Sequence, residues 1–138
     1  MKIKNIFLLS MLSLLLFACS DSKEKVNEDM LDSQQKITEI LKTVKDDATA
    51  TKAIEDIKSL EKEFDDLHTR FEKLGEAENL KKNRNEQELK EFFGEDLFEK
   101  MKKNGKAMGE ELKRIKGVLP NAKYDELNEA IEKTTKTK

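Results

Sequence analysis

Apolar residues along the chain fall into two regimes. Residues 6–18 form an almost unbroken apolar run, interrupted only by Ser10 and Ser13. Beyond residue 19 the apolar positions thin out and recur at helical spacing. Val26, Met30, Ile37, Leu41 and Val44, widened by Leu31 and Ile40, predict a helix over 26–45. Asp46-Asp47 ahead of Ala48-Thr49 supplies a stop and a fresh N-cap, since a short acidic side chain accepts from the free N–H groups of the next turn. Ala50, Ala53 and Ile54 then lead into Ile57, Leu60, Phe64, Leu67, Phe71 and Leu74, a heptad seam. Gly75 ends it as the residue best suited to a left-handed position after a helix. Glu55, Lys58, Glu61, Lys62, Asp65 and Glu72 lie opposite the seam, so the stripe is expected to bury against other helices.

Residues 76–87 are polar, with Leu80 their one large apolar residue, and read as a loop or a loop holding a helical turn. From residue 86 the stripe returns as Leu89, Phe93, Leu97, Met101, Met108, Leu112, Ile115 and Leu119. Gly94, Gly105 and Gly109 lie inside it, and each costs about 1 kcal/mol against Ala in a helix interior. Either the helix kinks or breaks near Gly94, or Gly105 and Gly109 let a neighbouring helix approach closely. Gly117 closes this helix, and Pro120 agrees with a stop there. Tyr124, Leu127, Ala130 and Ile131 mark a short last helix over 121–133, followed by a polar tail, 134–138. No apolar-polar alternation predicts a strand. The expected fold is all-α: an antiparallel up-down bundle of three long helices plus a short C-terminal helix. Its expected core is Ile40, Leu41, Val44, Ile57, Leu60, Phe64, Leu67, Phe71, Leu97, Met101, Met108, Leu112, Ile115, Leu127 and Ile131.

The first apolar run has a different meaning. Lys2 and Lys4 precede it, the small Ala18 closes it, and Ser20-Asp21-Ser22-Lys23-Glu24-Lys25 follows. That order describes a secretory signal peptide. A membrane span needs about 20 apolar residues, and a core helix needs one polar face; 6–18 offers neither. The ending Leu16-Phe17-Ala18-Cys19 resembles the lipobox of bacterial lipoprotein precursors. The resemblance implies that the Cys19 sulfur receives a diacylglyceryl group and that cleavage before Cys19 makes it the first mature residue. Phe17 departs from the small residue often found there, which bears on processing efficiency. Cys19 is the only cysteine, so no intramolecular disulfide is available to it. Acyl chains bind membranes with ~0.8 kcal/mol per buried CH₂, and two chains hold stably. Ser20 stands where an Asp would resemble an inner-membrane retention signal, which leans the expectation toward the outer membrane, facing the periplasm or the cell exterior. The chain thus divides into a leader 1–18, an acylated cysteine and polar tether 19–25, a helical domain 26–133 and the tail.

Composition narrows the function further. Loss of Lys2 and Lys4 with the leader leaves 25 basic against 29 acidic residues, a mixed and mildly acidic surface. Nucleic-acid binding needs clustered cations, so no nucleic acid is expected. His68 is the one histidine; Asp65-x-x-His68 resembles half of a di-iron bundle motif, but the second histidine is lacking, so no metal is expected. No nucleophile turn, phosphate loop or cofactor motif occurs. The acidic pairs Asp46-Asp47, Asp65-Asp66, Glu95-Asp96 and Glu110-Glu111 read as solvated helix faces rather than as acid–base machinery.

Phe92-Phe93 with Leu97-Phe98 places four large apolar residues within seven positions, more than one helix face buries. Phe92 and Phe98 are therefore either an exposed interaction patch or packed beneath the 76–87 segment. The expectation is a non-catalytic, membrane-anchored helical module that presents a face to another envelope protein. The alternative is a homo-oligomer built on the Ile57–Leu74 seam, or a peptidoglycan tether. The latter rests on Lys138, since the helical lipoprotein that joins outer membrane to peptidoglycan is also acylated and ends in lysine.

Overall fold

The computed structural model describes residues 22–75 and 85–136. All regular structure among them is helical: α1 (Lys23–Lys42), α2 (Asp47–Ser59), α3 (Glu61–Lys73), α4 (Glu86–Phe93), α5 (Glu95–Lys116) and α6 (Asn121–Thr135). Three helix starts are set by side chains that accept the otherwise unpaired N–H groups of a first turn. Ser22 Oγ accepts from the Lys25 N–H at 3.2 Å, so α1 begins at Lys23, ahead of the first apolar residue of its stripe. Asp46 and Thr49 form a reciprocal capping box, with Thr49 N to Asp46 Oδ1 at 2.8 Å and Asp46 N to Thr49 Oγ1 at 2.9 Å. Asn85 and Glu88 do the same for α4, at 3.0 and 2.9 Å.

Two of the expected long helices are each divided. The helix carrying the seam breaks at Leu60, where the Leu60 N–H turns to the Ile57 carbonyl. The Ser59 hydroxyl donates to the Asp56 carbonyl at 2.6 Å, and back-bonding of this kind bends helices. The following long helix breaks at Gly94, whose φ of 84° and ψ of 146° suit only glycine. Gly75 takes φ 72° directly after Leu74, as a helix-ending glycine should.

The interior holds two apolar clusters. The larger joins Ile37, Leu41 and Val44 of the α1 end to Ala50, Ala53, Ile54 and Ile57 of α2, Ile115 and Leu119 at the end of α5, and Leu127 and Ala130 of α6. The smaller lies at the start of α1, where Val26 meets Leu67 and Phe71 of α3, with Met30 and Leu74 against them. Ile57, Leu67 and Phe71 are buried and Leu60 and Phe64 pack on the larger cluster, so the seam is used within the chain. A homo-oligomer formed through that seam would have to unpack the monomer.

Polar contacts fix the helix directions. Asp29 of α1 meets Arg70 of α3 at 2.8 Å and Lys36 meets Glu63 at 2.7 Å, so these two helices run antiparallel. Thr38 of α1 lies 3.0 Å from Asn104 of α5, and Leu41 and Val44 meet Arg114 farther along α5, so this pair runs parallel. Asn104 is buried in α5 with Phe98 and Ile115, whereas Leu97, Met101, Met108 and Leu112 are half-buried. With about 3.6 residues per turn, Asn104 and Ile115 share the α5 face of Leu97, whereas Phe98 stands about 100° around the helix and is buried on the side that α4 covers with Lys90. The expected core also omitted Val26, Leu31, Ile37 and the small residues Ala50, Ala53 and Ala130, all of them buried. A Cβ at Gly105 or Gly109 would meet nothing within 4 Å, so no neighbouring helix among the described residues approaches closely there.

Candidate functional site

The first turn of α1 is where the sequence-derived anchor meets the helical domain. Cys19, the leader and Ser20 lie outside the described residues, as does Lys138; Cys19 stands three residues before the Ser22 cap. The Lys23 ammonium sits 3.7 Å from the centre of the Phe92 ring, which brings the last turn of α4 to the start of α1. That distance permits a cation–π attraction on the order of 0.5–1 kcal/mol. Phe92 packs edge-on against Phe93, ring centres 4.8 Å apart and planes at 90°, a favoured aromatic geometry.

These contacts revise the expected patch. Phe98 is 9% exposed and therefore is not part of an open surface. Lys90 and Lys102 place their ammonium groups 5.7 and 5.9 Å from its ring centre, one from α4 and one from α5. Phe92 and Phe93 are half-buried, and Val118 is the exposed large apolar residue among those described. Glu86 holds the α4–α5 corner from the polar side: Lys102 lies 3.2 Å and Lys90 3.6 Å from its carboxylate. The hydrogen bond from Lys102 holds the Glu86 carboxyl below its ordinary range.

A second feature lies between the two apolar clusters. Met30, Phe64, Leu67 and Phe71, with Gln34 and His68, line a cavity of about 220 Å³ that opens beside Thr135 and Lys136. His68 is at this cavity, on the flank of the seam, with Nε2 3.7 Å from a Glu72 carboxylate oxygen. Asp65 also lines the cavity, but no group of three or more His, Cys, Asp or Glu residues able to hold a metal ion occurs among the described residues. Asp46 is a helix cap, and the Thr49 backbone N–H bonded to its carboxylate lowers its pKa.

A charged cleft on the α1–α3 face includes Asp29, Ser33, Lys36, Glu63 and Arg70. Asp29 receives Lys25 and Arg70, each at 2.8 Å, and its carboxyl is held low, first by the Lys25 bond and then by Arg70. Glu63 is held low by Lys36 and then by Ser33. The pairs Asp29–Arg70 and Lys36–Glu63 brace two helices across this cleft, with Asp32 and Asp66 also on its lining. Sequence reasoning missed it because the partners lie some 30 to 40 positions apart. No described helix is long and apolar enough to cross a membrane. No protein-family model, curated protein or solved structure matches the chain.

Proposed function

We propose that the chain is the precursor of a lipid-anchored protein of the bacterial cell envelope, acylated on Cys19, whose helical domain serves as a non-catalytic interaction module. One observation carries the reading: the only cysteine stands directly after Leu16-Phe17-Ala18, at the end of a short apolar leader with a basic start. The abrupt change to a charged, helix-forming chain within four residues of Cys19 supports it, because an anchor there replaces a membrane span. The antiparallel up-down bundle expected from the sequence belongs to the same reading, supported by the opposed directions of α1 and α3. The internal use of Ile57, Leu67 and Phe71 argues for a partner other than a second copy docked on the seam.

The test is Cys19→Ser in bacterial cells expressing the full chain. The parent is expected in the membrane fraction, labelled by radioactive palmitate and carrying a diacylglyceryl mass on Cys19. The variant should lose the label and either accumulate unprocessed or appear in the soluble fraction. Palmitate labelling that survives Cys19→Ser would sink the lipoprotein reading.

A further inference from the structure

Among the six helices described, α4 alone buries none of its residues. It is nevertheless amphipathic: Leu89, Phe92 and Phe93 stand at i, i+3 and i+4, Gln87 and Glu91 take the opposite side, and Glu86 and Lys90 flank Phe93. Among the described helices α5 is its main packing partner, and Leu89, Phe92 and Phe93 are half-buried. Its position is specific. The Lys23–Phe92 contact at 3.7 Å fixes the end of α4 against the first residue of α1. From Cys19 to Ser22 the chain advances three residues, which span about 11 Å at full extension. A surface that holds Cys19 is therefore tied to the end of the domain where Lys23 meets Phe92.

Resting on the acylation of Cys19, we propose that the Leu89–Phe92–Phe93 face of α4, flanked by Lys23, is a membrane-contact surface seated in the headgroup layer of the bilayer that holds the anchor. Interfacial helices place Phe and Leu toward the acyl boundary, and a lysine covers apolar surface with its stem while its ammonium stays with phosphate and water. An eight-residue helix binds lipid weakly by itself. Tethering beside the acyl chains makes the contact intramolecular, so a weak affinity suffices. The same end carries Glu24, Glu86, Glu88, Glu91, Glu95 and Asp96, so apolar contact rather than attraction to anionic lipid drives the docking. The domain then stands on its α1–α4 end. The α5–α6 connection lies ~33 Å away, the length of a 22-residue helix.

The chain contains no tryptophan, so one introduced indole reports unambiguously. Phe92→Trp and Phe93→Trp are near-conservative reporters of the surface, and Val118→Trp, at the exposed α5–α6 connection, is the distal control. Each acylated protein, with the diacylglyceryl mass on Cys19 verified, is reconstituted into phosphatidylcholine vesicles containing brominated acyl chains. Indoles at 92 and 93 should shift to the blue and lose more than half their emission, while the one at 118 keeps its own. Adding anionic lipid should change this little. Acylated protein with unquenched indoles at 92 and 93 overturns the surface and leaves the anchor standing. Water-like emission then means an open face, and blue emission means cover by protein, by a second copy where it scales with the protein-to-lipid ratio. Equal quenching at 118 also overturns it, since the domain would have no preferred end. Absence of the acyl mass overturns the anchor and, with it, the surface.

Discussion

At the scale of single residues, glycines in this chain carry opposite meanings that only backbone geometry separates. Gly94 holds φ 84° and ψ 146°, a region that side chains with a Cβ avoid. Gly94→Ala is expected to lower stability by about 1–3 kcal/mol in urea unfolding, although no atom would clash with the new methyl. Unchanged stability would mean that α4 and α5 can join without that turn. Gly105 and Gly109 sit in regular α5 geometry, exposed, with open space where a Cβ would go. Each should gain about 1 kcal/mol on substitution by Ala, since helix propensity is the one thing that changes. A loss at either position would reveal a close contact with something outside the described residues. Arg114 works at the same scale. Its two terminal nitrogens donate to the Val44 and Leu41 carbonyls at 2.8 and 3.1 Å, while Nε donates to Glu111 at 2.7 Å. It thereby gives the Val44 carbonyl a partner and adds a second donor to the Leu41 carbonyl, which also accepts from the Val44 N–H at 3.1 Å.

At the scale of elements, α1 and α3 are joined by carboxylates whose protonation is coupled to folding. Asp29 and Glu63 both have pKa values lowered in the folded chain by the bonds from Lys25 and Lys36, with further help from Arg70 and Ser33. Unfolded, such groups titrate near about 4. Their contribution is therefore fully present above that range, and it is lost as pH falls through the lower folded values. Thermal melts followed by circular dichroism should give a flat midpoint from about pH 7 to about pH 5 and a steep decline below about pH 4. Asp29→Asn combined with Glu63→Gln should lower the neutral-pH midpoint and flatten the acid decline. An unaltered slope would show that other carboxylates govern acid unfolding.

These cross-helix pairs also mark where sequence reasoning stops. The existence and sense of the helical stripes were legible because a 3.6-residue period is local, as were the Asp46 cap and the Gly75 stop. The break at Leu60 was not, because a hydroxyl turning back on Asp56 leaves the apolar period intact. The sequence leaves the burial of Phe98 open between an exposed patch and a packed position, because Phe98 lies off the Leu97–Ile115 stripe and is covered from α4, whose placement follows the turn at Gly94. Asn104 carries no apolar signal in the sequence, yet its side-chain oxygen accepts from the Thr38 hydroxyl at 3.0 Å inside the α1–α5 contact. The nearness of Phe92 to the α1 start depends on tertiary packing. No residue spacing encodes that.

At the scale of the whole molecule, the two apolar clusters divide the domain into unequal halves. The larger draws on four helices around Leu41, Ile57, Ile115 and Leu127, and the smaller rests chiefly on Val26, Leu67 and Phe71. The cavity of about 220 Å³ lies between them, so packing is thinnest where one half would part from the other. Local opening follows the density of buried apolar contact. In native-state hydrogen exchange, amides of α2 and the adjoining end of α5 should therefore exchange slowest, close to the global unfolding limit. Those in the first half of α1, in α3 beyond His68, and above all in α4 should exchange through smaller openings at lower free energy. Phe71→Ala should accelerate exchange in that half while leaving the α2 amides limited by global unfolding. Protection of α4 equal to that of α2 would contradict the division, and it would require α4 to be braced by more than α5. The less stable half is also the one that bears the proposed anchor, so acylated protein on vesicles should recover protection in α4 selectively. Recovery spread evenly over α2 and α6 would instead point to general stabilisation, with no preferred end at the membrane.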